Sequence, residues 1–356
     1  MKPQRALGAT RDFDRHPHRM RRWKGALAVC SVLCTLAVST SANAQNSIFT
    51  IFDVPNSTST TPTSINAEEA ITGEYRDAVN IAHGFLRARD GTFTTFDFPD
   101  AFTTVPASIN PGGAITGFYY DANLNPHSFL RARDGVFTTV DLAGGLGTYA
   151  NSINAEGEIT GSFDDASAGH GFLRARDGTF IIFDPPGSRA TVPKSINSKG
   201  DITGYYFGDS WHGFLRSRDG NFTTIDPPGA SSTYAISINP QGTIAGYYIG
   251  GECWHLFLRA PDGKFTTFDP PGLECSWYIP DLKMSINPGG AIAGIVGGYS
   301  GFSGFLRARD GNFIRLSQGS YTPLPVSINP KGAITGIVRV AGVSHGFLLR
   351  PSAERK

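Results

Sequence analysis

The chain has 356 residues, 40% of them hydrophobic and 12% aromatic, with 43 glycines, 23 prolines and a formal net charge of +1. That is enough apolar material for a large core, and the glycine and proline call for many turns in place of long helices. The near-neutral balance lacks the basic surplus of a nucleic-acid binder.

The first 44 residues differ from the rest. Arg19, Arg21, Arg22 and Lys24 precede the apolar stretch "GALAVCSVLCTLAV", which leads into "STSANA". A basic region, an apolar run too short to span a bilayer and a small-x-small site after Ala44 read as a secretory signal over residues 1–44, with Met20 a candidate start. Arg21-Arg22 lacks the rest of a twin-arginine signal and "SVLC" is a poor lipobox, so simple secretion without a membrane span is expected. Residues 45–356, expected to be one domain and a monomer, hold 23 basic and 28 acidic residues, a net of about −5. A nucleic-acid partner is therefore not expected. Only Cys253 and Cys275 remain, an even number in an oxidising compartment.

The rest of the chain repeats itself. "SIN" begins at Ser64, Ser108, Ser152, Ser195, Ser237, Ser285 and Ser327, at spacings of 44, 44, 43, 42, 48 and 42 residues. Each copy continues through "ITG" or "IAG", a variable stretch, "GFLR" and "FTTFD" or variants of them. Seven units leave no room for a second domain.

Each unit reads as four short strands. The first ends in "SIN" and turns through Asn-x-x-Gly, residue types that suit a type I turn; unit 1 carries Glu69 where glycine is expected. The second strand is "ITGEY" or a variant. The third, "GFLRAR", closes on Asp-Gly, a strong hairpin signal. The fourth is "FTTFD". Four strands in about 44 residues is the pattern of a β-propeller blade. The last unit stops before its fourth strand, and an orphan "FTIFD", Phe49 to Asp53, precedes the first "SIN". The expected fold is all-β: a seven-bladed β-propeller of four-stranded blades, its ring closed by the N-terminal strand.

Six of the eight histidines hold one repeat position: His83, His127, His170, His212, His255 and His345. A ring of metal ligands is disfavoured, because the third strand of a blade lies away from the axis. An aspartate follows at an offset of 14 in five units: Asp97, Asp141, Asp184, Asp226 and Asp269. Across an Asp-Gly hairpin these are near neighbours. Unit 6 loses both partners together, with Ser303 and Ser317 in their places. His345 would then meet Asp53. The pairs read as structural pegs between strands.

The repeat "SIN…G.ITGYY…HGFLRARDGTFTTFD" resembles the bacterial extracellular repeats called the HAF family, named for a His-Ala-Phe at the peg position. That position reads "HGF" at His83, His170, His212 and His345, "HSF" at His127 and "HLF" at His255. The resemblance spans residues 47–350. It implies secretion and a propeller-like fold, and it implies no reaction.

The turns between strands one and two, and three and four, are uniform, whereas the other connections vary and share the opposite face, where binding is expected. No "GxSxG", zinc spacing or complete calcium loop is present; "DANLN" at 121–125 starts like a calcium loop but lacks its glycine. No cofactor, metal or catalytic residue is expected. Asp164-Asp165 read as a solvated loop, and the paired arginines of "RAR" (Arg87 and Arg89, Arg131 and Arg133, Arg174 and Arg176) as a solubilising blade edge.

Trp211 and Trp254 stand just before the peg histidine, where unit 6 has Phe302. Trp277 and Tyr278 lie in a lengthened loop: Asp269 to Ser285 spans 16 positions, where five other such loops span 11. Cys253 and Cys275 both fall on the variable face and are expected to form a disulfide. The five aromatics mark a candidate ligand site on units 4–6, suited to a glycan or a protein surface. The expected function is a secreted, non-catalytic binding or scaffold protein. The competing expectation is a propeller-type lyase or glycosidase, which would need carboxylates converging on the channel mouth.

Overall fold

A computed structural model describes residues 48–270, 283–298 and 301–351. Every regular element among them is a β-strand, and the described chain from residue 48 onward falls in one compact unit. In unit 1, Ser59–Ile65, Ile71–Arg76, Ala82–Arg87 and Phe93–Phe96 pair antiparallel in that order. The other units repeat this order, and those of units 3 and 4 join into one eight-stranded sheet through a single parallel pairing, Gly169 with Ala190. In unit 7, Leu324–Ile328, Ile334–Val340 and Val343–Arg350 are completed by the N-terminal strand Ile48–Phe52, with Ile48 opposite Arg350 and Phe52 opposite Gly346.

The turn residues act as their chemistry dictates. Asn66 Oδ1 accepts the N–H groups of Glu68 and Ala70, and Asp90 Oδ1 accepts that of Thr92. Gly113 at the fourth position of the unit 2 turn has φ 84°, a left-handed conformation suited to glycine. Glu69 holds the same position in unit 1 at φ 62°. The glycine of "ITG" answers a different demand. A Cβ on Gly73 would lie 2.2 Å from the Thr61 carbonyl oxygen, so the first two strands approach too closely for any side chain there.

The repeated "SIN" links each sheet to the next. The asparagine Nδ2 donates to the backbone oxygen of the next unit's asparagine in a closed circuit: Asn66 to Asn110, then Asn154, Asn197, Asn239, Asn287, Asn329 and back to Asn66, at 3.0–3.4 Å. The serine forms a second circuit. Ser64 Oγ accepts the Ile109 N–H at 3.3 Å, and Ser327 Oγ accepts that of Ile65 at 3.3 Å. In unit 1 the pairing shifts register between Pro62 and Ser64, a bulge just before the linking serine.

Between consecutive sheets the core is apolar. Phe52 and Leu348 of the last sheet pack with Ile71 and Phe85 of the first, and Phe96 of unit 1 with Ile115 and Phe129 of unit 2. The first arginine of "RAR" belongs to this core. Arg87, Arg131 and Arg216 are buried. Their guanidinium carbons sit 4.8, 4.7 and 5.0 Å from the ring centres of Phe52, Phe96 and Phe183, each on the fourth strand of the preceding unit. Desolvation lowers the pKa of all three. The expected solubilising edge is corrected here: it describes exposed Arg89, beyond the strand end, and not Arg87.

Candidate functional site

The structure brings together all six histidine–aspartate pairs. The Nδ1 atoms lie 2.9 Å from Asp97 (His83), 2.7 Å from Asp141 (His127), 2.6 Å from Asp184 (His170), 2.8 Å from Asp226 (His212), 2.9 Å from Asp269 (His255) and 2.7 Å from Asp53 (His345). Each bond ties the third strand of a unit to an aspartate just beyond its fourth. In unit 6 Arg315 fills the gap, its Nη2 donating to Ser303 Oγ at 2.8 Å.

Two features of these pairs escaped the sequence reading. Five histidine rings lie 5.1–5.3 Å from an aromatic ring directly across the second strand: Tyr75, Tyr119, Phe163, Tyr206 and Tyr248. Four histidines also have a second carboxylate at Nε2: Asp77 at 3.5 Å from His83, Asp121 at 3.7 Å from His127, Asp165 at 3.3 Å from His170 and Asp209 at 2.8 Å from His212. Asp165 is therefore not merely solvated, as expected of the Asp164-Asp165 loop. Hydrogen bonds from Ser167 hold its carboxyl well below the usual range. The "DANLN" loop works alike: Asp121 Oδ1 accepts the N–H groups of Asn123 and Asn125, and its other oxygen faces His127. The Asp184 hydrogen bond raises the pKa of His170. That of His212 is also raised, with desolvation opposing the bonds from Asp209 and Asp226. Only His212 is hydrogen-bonded to a carboxylate at both ring nitrogens, the other three second carboxylates standing at ion-pair distance, and no group of three metal-ligating side chains stands together among the described residues.

The aromatic residues singled out are placed unevenly. Trp211 pairs with Phe207 across the sheet, one residue before His212, and its ring lies 5.2 Å from that of Phe207. It lies 5.4 Å from Tyr205 and 6.0 Å from Tyr234 of the next unit, which in turn lies 5.4 Å from Trp254. Five half-buried rings thus run unbroken from unit 4 into unit 5. Burial raises the pKa of Tyr205 and Tyr234, keeping both hydroxyls protonated. Phe302 is exposed and makes no ring contact among the described residues. Cys253 opens the strand Cys253–Arg259, while Cys275, Trp277 and Tyr278 lie outside the described residues.

Tyr205 was legible in the repeat. The residue after "ITG" or "IAG" is Glu74, Phe118, Ser162, Tyr205, Tyr247, Ile295 and Ile337 in the seven units, a break in the repeat at a position that touches the next unit in units 2 and 4. Phe118 lies 5.5 Å from Tyr149 of unit 3, whose pKa burial and Tyr120 push up to about 12. Glu74 differs in kind. Desolvation raises its carboxyl above the usual value against the lowering charges of Arg76 and Lys283. Among the described residues it is the one carboxyl raised in this way.

No family model matches the chain, and no curated protein matches it. Solved structures do. A catalytically inactive virginiamycin B lyase from Staphylococcus aureus with quinupristin matches at 13% identity and TM-score 0.58, over 85% of this chain and 99% of that one. The β-propeller domain of the trilobed protease from Pyrococcus furiosus matches at 10% identity and TM-score 0.59, over 84% and 97%. TolB from Acinetobacter baumannii matches at 13% identity and TM-score 0.50, over 73% and 64%. At these identities the likeness shows the fold alone. The chain is an all-β protein of propeller type.

Proposed function

We propose that this chain is a secreted seven-bladed β-propeller of four-stranded blades, closed by its N-terminal strand and akin to the HAF repeats. It acts as a non-catalytic binding protein, taking a glycan or a protein surface on the variable face of units 4–6. One observation carries the reading: the run Phe207, Tyr205, Trp211, Tyr234 and Trp254. Units 1, 2, 3 and 7 have Ala82, Pro126, Gly169 and Ser344 at the tryptophan position. Half-buried aromatic rings on strands are rigid platforms, and such rings are enriched where proteins meet ligands. A Cys253–Cys275 disulfide would tether the lengthened loop with Trp277 and Tyr278 beside this run. The protein is proposed to be a monomer that needs no cofactor.

Intrinsic tryptophan fluorescence, titrated with a panel of oligosaccharides with and without calcium, tests the reading. Tyr234→Ala is expected to weaken binding about tenfold or more, as loss of a well-packed aromatic anchor does. Altered folding with every interaction untouched makes the run packing alone.

A lyase or glycosidase reading draws support from Glu74, whose raised carboxyl has the character of a general acid. A glycosidase needs a second carboxylate facing the first. Binding without catalysis is the better supported of the two.

A further inference from the structure

The loops at the histidine end of units 1–3 carry four exposed large apolar side chains: Val79 (72%), Phe102 (48%), Leu124 (61%) and Leu146 (67%). Phe102 and Leu146 hold one position in successive units, each donating its N–H to the residue that ends the second strand, Tyr120 and Asp164, at 2.7 Å. The same bond is made by Thr58 in unit 1 and Arg189 in unit 4, so the apolar pair is bounded on both sides. Val79 and Leu124 stand on short loops between second and third strands, closed by Asp77 N–H to Ile81 and Asp121 N–H to Asn125. Units 2 and 3 meet here, since a Cβ on Gly147, next to Leu146, would lie 2.6 Å from Pro126. The four side chains thus stand on an arc of loops at one end of three successive units.

The fold does not account for Leu124. Its φ is 63°, a left-handed conformation that bulky residues resist and asparagine tolerates; Asn80 holds the matching place in unit 1 at φ 68°. Strain and exposure both work against a leucine here. A residue kept at a strained, solvent-facing loop tip points to a role outside stability.

The rim of the arc is acidic. Asp100 and Asp164 are exposed beside Phe102 and Leu146. Asp77 and Asp121 are held ionised by backbone N–H bonds within their own loops, and Asp165 chiefly by Ser167. The opposing charges are Arg76, Arg189 and the histidines His83, His127 and His170 that face the loop aspartates. Single exposed apolar residues are ordinary, whereas four on adjoining loops of successive units within a charged border point to an interaction site.

We propose that the arc of Val79, Phe102, Leu124 and Leu146 docks a polypeptide partner whose apolar contact face is flanked by lysine or arginine. Charge complementarity selects this occupant, because the carboxylate rim repels an anionic lipid surface. The arc is separate from the aromatic run of units 4 and 5.

Two synthetic amphipathic helical peptides with the same leucine face, one lysine-bearing and one glutamate-bearing, are the probes, alongside phosphatidylglycerol vesicles. The intact protein is expected to bind the lysine peptide at least about tenfold more tightly than the glutamate peptide, the expected reach of rim electrostatics. Leu124→Asn with Leu146→Ser should weaken that binding by about tenfold or more, as removal of central apolar contacts does. The melting temperature should not fall, since asparagine relieves the strain. Equal binding of both peptides, binding of neither, indifference to the double substitution, or preference for the vesicles each overturns the proposal.

Discussion

Arg350, in the last strand, places its Nε 2.8 Å from the carboxylate of Glu69, in the first turn of unit 1. This ion pair joins residues 281 positions apart, where the two ends of the repeat meet. Glu69 is buried and left-handed, at the position glycine holds in the other units. Its strained backbone is retained with a carboxylate that bonds Arg350 across the seam and also lies 3.6 Å from Arg89 Nε within unit 1. Glu69→Gln should lower stability by about 1–3 kcal/mol, the range for a hydrogen bond to a charged group. Glu69→Gly should be less harmful, because it releases roughly 1–2 kcal/mol of left-handed strain. Denaturant melts of both variants and of Arg350→Ala check this; additive effects of Glu69→Gln and Arg350→Ala would show the pair uncoupled.

The N-terminal strand is predicted to be indispensable. Phe49 and Phe52 are buried, Phe49 stacks 5.2 Å from Phe347, and Phe52 lies under Arg87. Deleting Phe49 to Asp53 removes both rings and the Asp53 partner of His345. Since one buried phenylalanine is worth about 3–5 kcal/mol on truncation, calorimetry should show a large fall in melting temperature. An unchanged melt would rule out the closure.

The His170 bridge predicts a pH dependence of definite sign. Its folded pKa is raised, chiefly by Asp184. The stabilisation is therefore complete below the unfolded value of about 6.5 and fades as pH rises through the higher folded value. The stability difference between the natural chain and His170→Gln should shrink from mildly acid to mildly alkaline conditions. Asp184→Ala and His170→Ala should each destabilise by about 1–3 kcal/mol, and the double variant by less than their sum. A pH-independent difference would refute the bridge.

Much of this was legible because the chain carries its own comparison set. Seven copies exposed the turns, and the joint loss of His and Asp at Ser303 and Ser317 exposed the pairing. What stayed hidden depends on neighbouring copies or on variable loops. The loop aspartates precede their histidines by six, six, five and three residues (Asp77, Asp121, Asp165, Asp209), so no fixed offset announced them. Period two would set Arg87 and Arg89 on one strand face, yet the strand ends at Arg87, which Phe52 of the preceding sheet covers, and Arg89 falls in the turn. The serine and asparagine of "SIN" were visible as a repeat, but their bonds cross to another copy more than forty residues away.

The expected Cys253–Cys275 bridge is testable without reference to the loop. Mass spectrometry of residues 45–356 produced under oxidising conditions should find no free thiol, and reduction should lower stability by about 3 kcal/mol, the figure for closing a loop of this order. Two free thiols would exclude the bridge.

The asparagine circuit makes the sharpest demand on the ring. Asn154 is buried; its Oδ1 accepts the N–H groups of Glu156 and Glu158, and its Nδ2 donates to Asn197 O at 3.1 Å and to Glu158 at 2.7 Å. One side chain thus closes its own turn and fastens the next sheet. Asn154→Asp keeps the acceptor and loses the donor, placing a carboxylate oxygen against a backbone carbonyl. Asn154→Ala loses both functions and strands the turn N–H groups. Each buried polar group left without a partner costs about 1–3 kcal/mol, so both variants should be destabilised. Because Asn154→Asp preserves the turn while breaking the circuit, the two separate local from ring-wide roles. If unfolding is cooperative around the ring, hydrogen exchange in Asn154→Asp should rise in units 3 and 4 together; a rise confined to residues 154–158 would show the circuit to be decoration on an otherwise self-sufficient sheet.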